Sequence, residues 1–156
     1  GERNNCLPSE TRIRMNNGTF KRIDSINIGD KYFGGIVTGI YRCNAREMEW
    51  FEVKGVCISP RIICSIEKTG WTKAYNVGLP YSKSIPKTEI GYHLITSSGY
   101  FEIENHILVR DFVETTDDLV QEFIGNIVLS RLNGQDNQEL KFMWFYHRIV
   151  SARYKE

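Results

Sequence analysis

The sequence predicts a mainly β domain of short, intertwined strands followed by an α-helical C-terminal extension. Two observations carry this. Through residues 6–113, runs rich in β-branched and aromatic side chains last only a few positions before Gly, Asn, Asp or Pro interrupts them, the pattern of short strands joined by tight turns. After Thr115 the period changes, and Leu119, Val120, Phe123, Ile124, Ile127, Val128 and Leu132 recur at helical intervals. A chain of 156 residues, 41% of them hydrophobic, is long enough to bury one core. The expected division is a β domain over 1–115 and a helical extension over 116–156.

The elements follow in order. Residues 11–15 and 19–23 flank Asn16, Asn17 and Gly18, residue types that tolerate the positive φ of a hairpin turn. A β-hairpin is expected there. Gly29 and Asp30 mark a second turn, residues 31–33 run to Gly34 and Gly35, and 36–41 form a β-rich stretch. Strands are expected over 50–53, 56–58 and 62–66. From 78 to 91 the chain turns polar and carries Pro80 and Pro86 beside Ser82, Lys83 and Ser84, so an exposed loop is expected. Two more strands are expected over 92–96 and 100–103, after which 106–109 leads into Arg110, Asp111 and Phe112. Thr115 or Thr116 then caps a helix, with Asp117 and Asp118 in its first turn and Asn133 and Gly134 at its end. Residues 138–153 are apolar almost all round, which implies burial on several sides.

Charge and composition exclude several functions. Twenty basic side chains against nineteen acidic leave a net charge of +1, so no strong field draws nucleic acid or an anionic membrane. No apolar run approaches the roughly 20 residues that cross a bilayer. No signal peptide is read at the N-terminus, and a cytoplasmic or virion location is expected. Cys6, Cys43, Cys57 and Cys64 fall into no CxxC pair, and His93, His106 and His147 make no HExxH motif. Reduced thiols are therefore expected, without a metal site. No phosphate loop or dinucleotide fingerprint is present, so no cofactor is expected.

From Cys6 the chain reads Cys-Leu-Pro-x-x-Thr-x-Ile-x-Met-x-x-Gly-x-x-Lys-x-Ile-x-x-Ile-x-Ile-Gly-Asp-Lys. This stretch resembles the opening block of the Hint family, the shared module of Hedgehog autoprocessing domains and inteins. Gly55, Val56, Cys57, Ile58 and Ser59, then Gly70, Trp71, Thr72 and Lys73, look like the middle of short viral and phage Hint domains. Leu94, Ile95 and Thr96 with Arg110, Asp111 and Phe112 resemble the closing block. The resemblance covers about residues 6–115 and implies a horseshoe-like, intertwined β fold. It also implies a chemistry: Cys6 attacks the carbonyl of Asn5 and turns an amide into a thioester, with the flanking polypeptide as self-substrate.

That chemistry needs a partner for the thiol. A thiol of ordinary pKa, about 8.5, is mostly protonated at neutral pH, and the leaving amine must gain a proton as the C–N bond breaks. A Thr-x-x-His element usually supplies the imidazole in the family. Here Ser59 stands where the Thr would be and Ile62 where the His would be, with Pro60 and Arg61 between. Losing a positioned acid/base costs about 10²- to 10⁴-fold in rate. The expectation is a degenerate Hint domain serving as a structural or protein-interaction module, with a phage or viral virion context implied by the resemblance. The alternative is a living autoprocessor with Cys6 as nucleophile, Ser59 as oxyanion donor, His93 or His106 as surrogate acid/base and Asp111 as helper.

Each of these residues has a plainer reading. Cys6 also reads as a small buried hydrophobe or a vestigial nucleophile, His93 and His106 as hydrogen-bonding side chains at strand ends, and Asp111 as a turn residue. Phe142, Met143, Trp144, Phe145 and Tyr146 read as core or as a contact for a protein partner or a second copy through 116–156. Splicing of the intein type is not expected, because Asn105 and His106 run in the reverse of the His-Asn order it uses.

Overall fold

Turn chemistry sets the frame of the β domain. The computed structural model describes residues 5–66, 70–81 and 89–116. At the first turn Gly18 has φ +84°, and the Asn17 side chain accepts from the Thr19 N–H at 3.0 Å. Strand β1 (Arg12–Arg14) thereby returns as β2 (Phe20–Arg22), with Ile13 opposite Lys21. A 3-10 turn at Ile23–Ser25 leads to the next reversal. There Gly29 has φ +95°, and the Asp30 carboxylate accepts from the Asn27 N–H and the Lys21 ammonium, each at 2.9 Å.

The chain continues through β3 (Lys31–Tyr32) into β4 (Gly35–Asn44), then β5 (Phe51–Val53), β6 (Val56–Ile58) and β7 (Ile63–Ser65). After β8 (Thr72–Lys73), helix α1 (Ala74–Val77) and β9 (Leu79–Pro80) come β10 (Ile90–Thr96), β11 (Tyr100–Ile103) and β12 (Ile107–Arg110). Six strands form one sheet in the order β2-β1-β11-β12-β7-β8, and two three-stranded sheets run β10-β4-β3 and β6-β5-β9. Neighbours far apart in sequence, such as β1 beside β11 and β12 beside β7, make the domain intertwined. Strands β11 and β12 alternate buried and half-buried positions, as a sheet with one core-facing side requires. Leu7, Ile13, Ile23, Tyr32, Ile58, Ile62, Leu94, Phe101, Ile103 and Ile107 are fully buried and pack in one apolar cluster.

Three local readings change. The loop expected over 78–91 holds β9, which pairs with β5 at Phe51 and Glu52. A side chain at Gly78 would meet the Glu52 carbonyl oxygen at 2.7 Å, so glycine lets β9 approach, and Pro80 is tolerated on an edge strand. Ile90 already belongs to β10, while 82–88 lie outside the described residues. β8 and α1 are too short to leave a periodic signal in the sequence.

The chain divides into two compact units, Gly1–Phe112 and Val113–Glu156. Helix α2 (Phe112–Thr116) begins ahead of the expected Thr115 or Thr116 cap. The continuation of that helix and the apolar segment 138–153 lie outside the described residues.

Candidate functional site at the Asn5–Cys6 junction

The junction is threaded between two elements. On one side Leu7 and Tyr92 exchange backbone hydrogen bonds, Leu7 N–H to the Tyr92 oxygen at 2.7 Å and Tyr92 N–H to the Leu7 oxygen at 2.9 Å, which adds the entering chain to the edge of β10. On the other side the Ser59 N–H donates to the Cys6 carbonyl at 3.3 Å. The Cys6 N–H donates to Ser59 Oγ at 3.0 Å. That nitrogen is the one that would leave if the Asn5–Cys6 bond were broken. Cys6 and Ser59 are both fully buried.

Ser59 reaches this place because the chain turns sharply after β6. The Ile62 N–H donates to the Ser59 carbonyl at 3.3 Å, closing a β-turn with Pro60 at its second position, where proline's fixed φ fits. The turn brings residue 59 to the junction and sends the Ile62 side chain, fully buried, into the apolar cluster. The turn thus places a hydroxyl at its first position and an alkyl group at its fourth. A serine hydroxyl hydrogen-bonds well but does not titrate near neutral pH.

The Cys6 sulfur touches Cys43. The two form a disulfide contact, with their Cα atoms 7.0 Å apart. Cys43 stands opposite Gly91 in the β4–β10 pairing, and Cys6 enters along the other edge of β10. Because Gly91 has no side chain, the two thiols meet above it: a Cβ there would lie 2.6 Å from Cys6 Cβ and 3.0 Å from Cys43 Sγ. The sequence predicts reduced thiols, whereas the structure brings two of the four into bonding contact. Cysteine density and spacing say nothing of two residues joined across a middle strand. Cys57 and Cys64 are free, and burial pushes their thiols up to about 12 and about 11 respectively.

His93 follows the Leu7–Tyr92 bridge along β10 and is fully buried, with its ring edge-on to Phe101 and Phe112 at 5.7 and 6.2 Å. The Leu94 N–H donates to its Nδ1 at 3.0 Å, so the proton of the neutral ring sits on Nε2. Among the described residues no acceptor meets Nε2 in full hydrogen-bonding geometry, although the Arg110 backbone lies close enough to favour the charged ring. Burial pushes the ring down to about 3, a pull that the Arg110 backbone only partly opposes. A ring held neutral in this way is not poised to shuttle protons near pH 7.

His106 and Asp111 occupy other places. His106 is exposed, has φ +58°, and lies 3.5 Å from Glu102 Oε2. It lines a cleft of about 530 Å³ with Arg14, Phe33, Gly34, Tyr100, Glu102 and Leu108, whose walls include neither Cys6 nor Ser59. Asp111 is fully buried and pins the β10–β11 turn: its Oδ2 accepts from the Thr96 N–H at 2.9 Å, and its own N–H donates to the Gly99 carbonyl at 2.8 Å. Of the sequence candidates, Cys6 and Ser59 come together, His93 stands on the adjoining strand, His106 sits exposed in a turn and Asp111 pins another. Cys43 and Gly91 are the site residues that sequence reasoning did not single out.

No protein-family profile and no curated protein matches the chain. Among solved structures, a bacterial intein-like domain from Clostridium thermocellum matches with a TM-score of 0.55 and 16% identity, covering 69% of this chain and 99% of that one. The gp41-1 intein matches with a TM-score of 0.45 and 14% identity, over 69% of this chain and 99% of its own. With its intertwined short strands and an N-proximal cysteine threaded along β10, the chain has the intein-like fold of Hint domains.

Proposed function

We propose that this chain is a Hint-type scaffold that holds the Asn5–Cys6 junction in place without cleaving it at a useful rate, and serves as a structural or protein-interaction module. One observation carries the reading: the hydrogen-bond partner of the Cys6 amide is the Ser59 hydroxyl, while the position that would bring an imidazole is the buried Ile62. His93, buried and held neutral, does not supply the missing proton transfer. A loss of about 10²- to 10⁴-fold follows from the absent acid/base alone. In this reading the contact with a protein partner or a second copy is made through 116–156.

The test is a reporter fused upstream of Gly1, incubated in reductant and weighed as the intact protein. The uncut fusion is expected to persist over days. Release between Asn5 and Cys6, abolished by Cys6→Ala, overturns the reading and makes the chain an autoprocessor in which Ser59 steers the leaving nitrogen. Ile62→His in the same fusion is expected to raise cleavage about 100-fold or more if the ring enters the frame built for it. Deleting 116–156 is expected to abolish partner or self-association, read by sedimentation.

A further inference from the structure

We propose that Cys6 and Cys43 form a reversible disulfide that withdraws the junction thiol from reaction and clamps the entering chain to the end of β4. The inference is independent of whether the junction can be cleaved. It rests on three features of the packing. The two Cα atoms are 7.0 Å apart, just beyond the roughly 4.4 to 6.8 Å that a bridge usually spans, so closing the bond draws the two backbones slightly together. Gly91 opens the space between them: the position its Cβ would occupy lies 3.2 Å from Cys6 Sγ and 3.0 Å from Cys43 Sγ. The two sulfurs also differ in access, for Cys6 is fully buried while Cys43 is half-buried at a strand end.

That difference orders the exchange. A low-molecular-weight disulfide of the glutathione class is the oxidant. The Cys43 thiolate attacks one of its sulfurs, forming a mixed disulfide and releasing one small thiol. The Cys6 thiolate then attacks Cys43 Sγ, forming the Cys6–Cys43 bond and releasing the second small thiol. Two protein thiols are oxidised and one small disulfide is reduced to two thiols. Reduction runs in reverse, with an external thiolate attacking the accessible Cys43 sulfur and Cys6 leaving. Cys57 and Cys64 are free thiols and take no part in the exchange.

The experiment uses the full chain equilibrated in oxidised-to-reduced glutathione mixtures, quenched in acid, alkylated under denaturing conditions and weighed. Oxidising buffer is expected to leave two alkylatable thiols and a cross-linked peptide pair containing Cys6 and Cys43, and dithiothreitol is expected to restore all four. The melting temperature is expected to fall by about 10 °C on reduction, and Cys43→Ser is expected to abolish that dependence. Four alkylatable thiols in oxidising buffer, or a cross-link involving Cys57 or Cys64, overturns the proposal. Peptide mapping of the unaltered chain decides the matter even if Cys43→Ser does not fold.

Discussion

Ser59 accepts a hydrogen bond from the amide of the fully buried Cys6, so its hydroxyl stabilises the fold whatever the junction does. Ser59→Ala is expected to destabilise the domain by about 1 to 3 kcal/mol in denaturant unfolding, the cost of an unsatisfied buried N–H, whereas Ser59→Thr keeps the acceptor and most of the stability. His93 carries a different signature. Its folded-state value lies far below the ordinary 6.5, so the unfolded chain takes up the proton first. The stability this neutral ring contributes is complete above about pH 6.5 and is lost as pH falls toward 3, at about 1.4 kcal/mol per pH unit. Between about pH 7.5 and pH 5 the denaturant midpoint is expected to report a loss of about 2 kcal/mol. His93→Gln should flatten that slope.

At the scale of elements, β10 is the organising strand, paired with β4 on one edge and with the segment around Leu7 on the other. Gly91 lets side chains from both neighbours meet above it. Gly91→Ala places a methyl group 2.6 Å from Cys6 Cβ, a clash with tightly held atoms rather than with a flexible tip. It is expected to cost about 1 to 3 kcal/mol and to lower the yield of the Cys6–Cys43 cross-link in the alkylation assay. The far end of β10 depends on Asp111, whose carboxylate holds the Thr96 N–H. Asp111→Ala is expected to cost about 2 to 3 kcal/mol in denaturant unfolding, because a charge-assisted hydrogen bond is lost inside the core.

Over the whole β domain, the Cys6–Cys43 bond closes a loop with a sequence separation of 37. On the chain-entropy account such a closure stabilises the folded state by about 4 kcal/mol, a large share of the roughly 5 to 15 kcal/mol that holds a domain together. The junction chemistry and the stability of the fold therefore share one sulfur. On the proposed exchange, a reducing setting would free both thiols and an oxidising one would tie the entering chain to β4.

Local residues determined the local structure. The hairpin at Asn17 and Gly18, the turn at Gly29 and the mainly β architecture were legible because positive φ and strand alternation are imposed within a few residues of each position. The opening block was equally legible, since it is a statement about which residue stands where. Tertiary structure alone decided the partners of Cys6. Ser59 reaches it from 53 positions away, and Cys43 reaches it across a third strand. It also decided the state of His93, since a ring's protonation depends on the water around it, and burial between Phe101 and Phe112 removes that water. Contacts of this kind depend on strand order, which no short stretch of sequence encodes by itself.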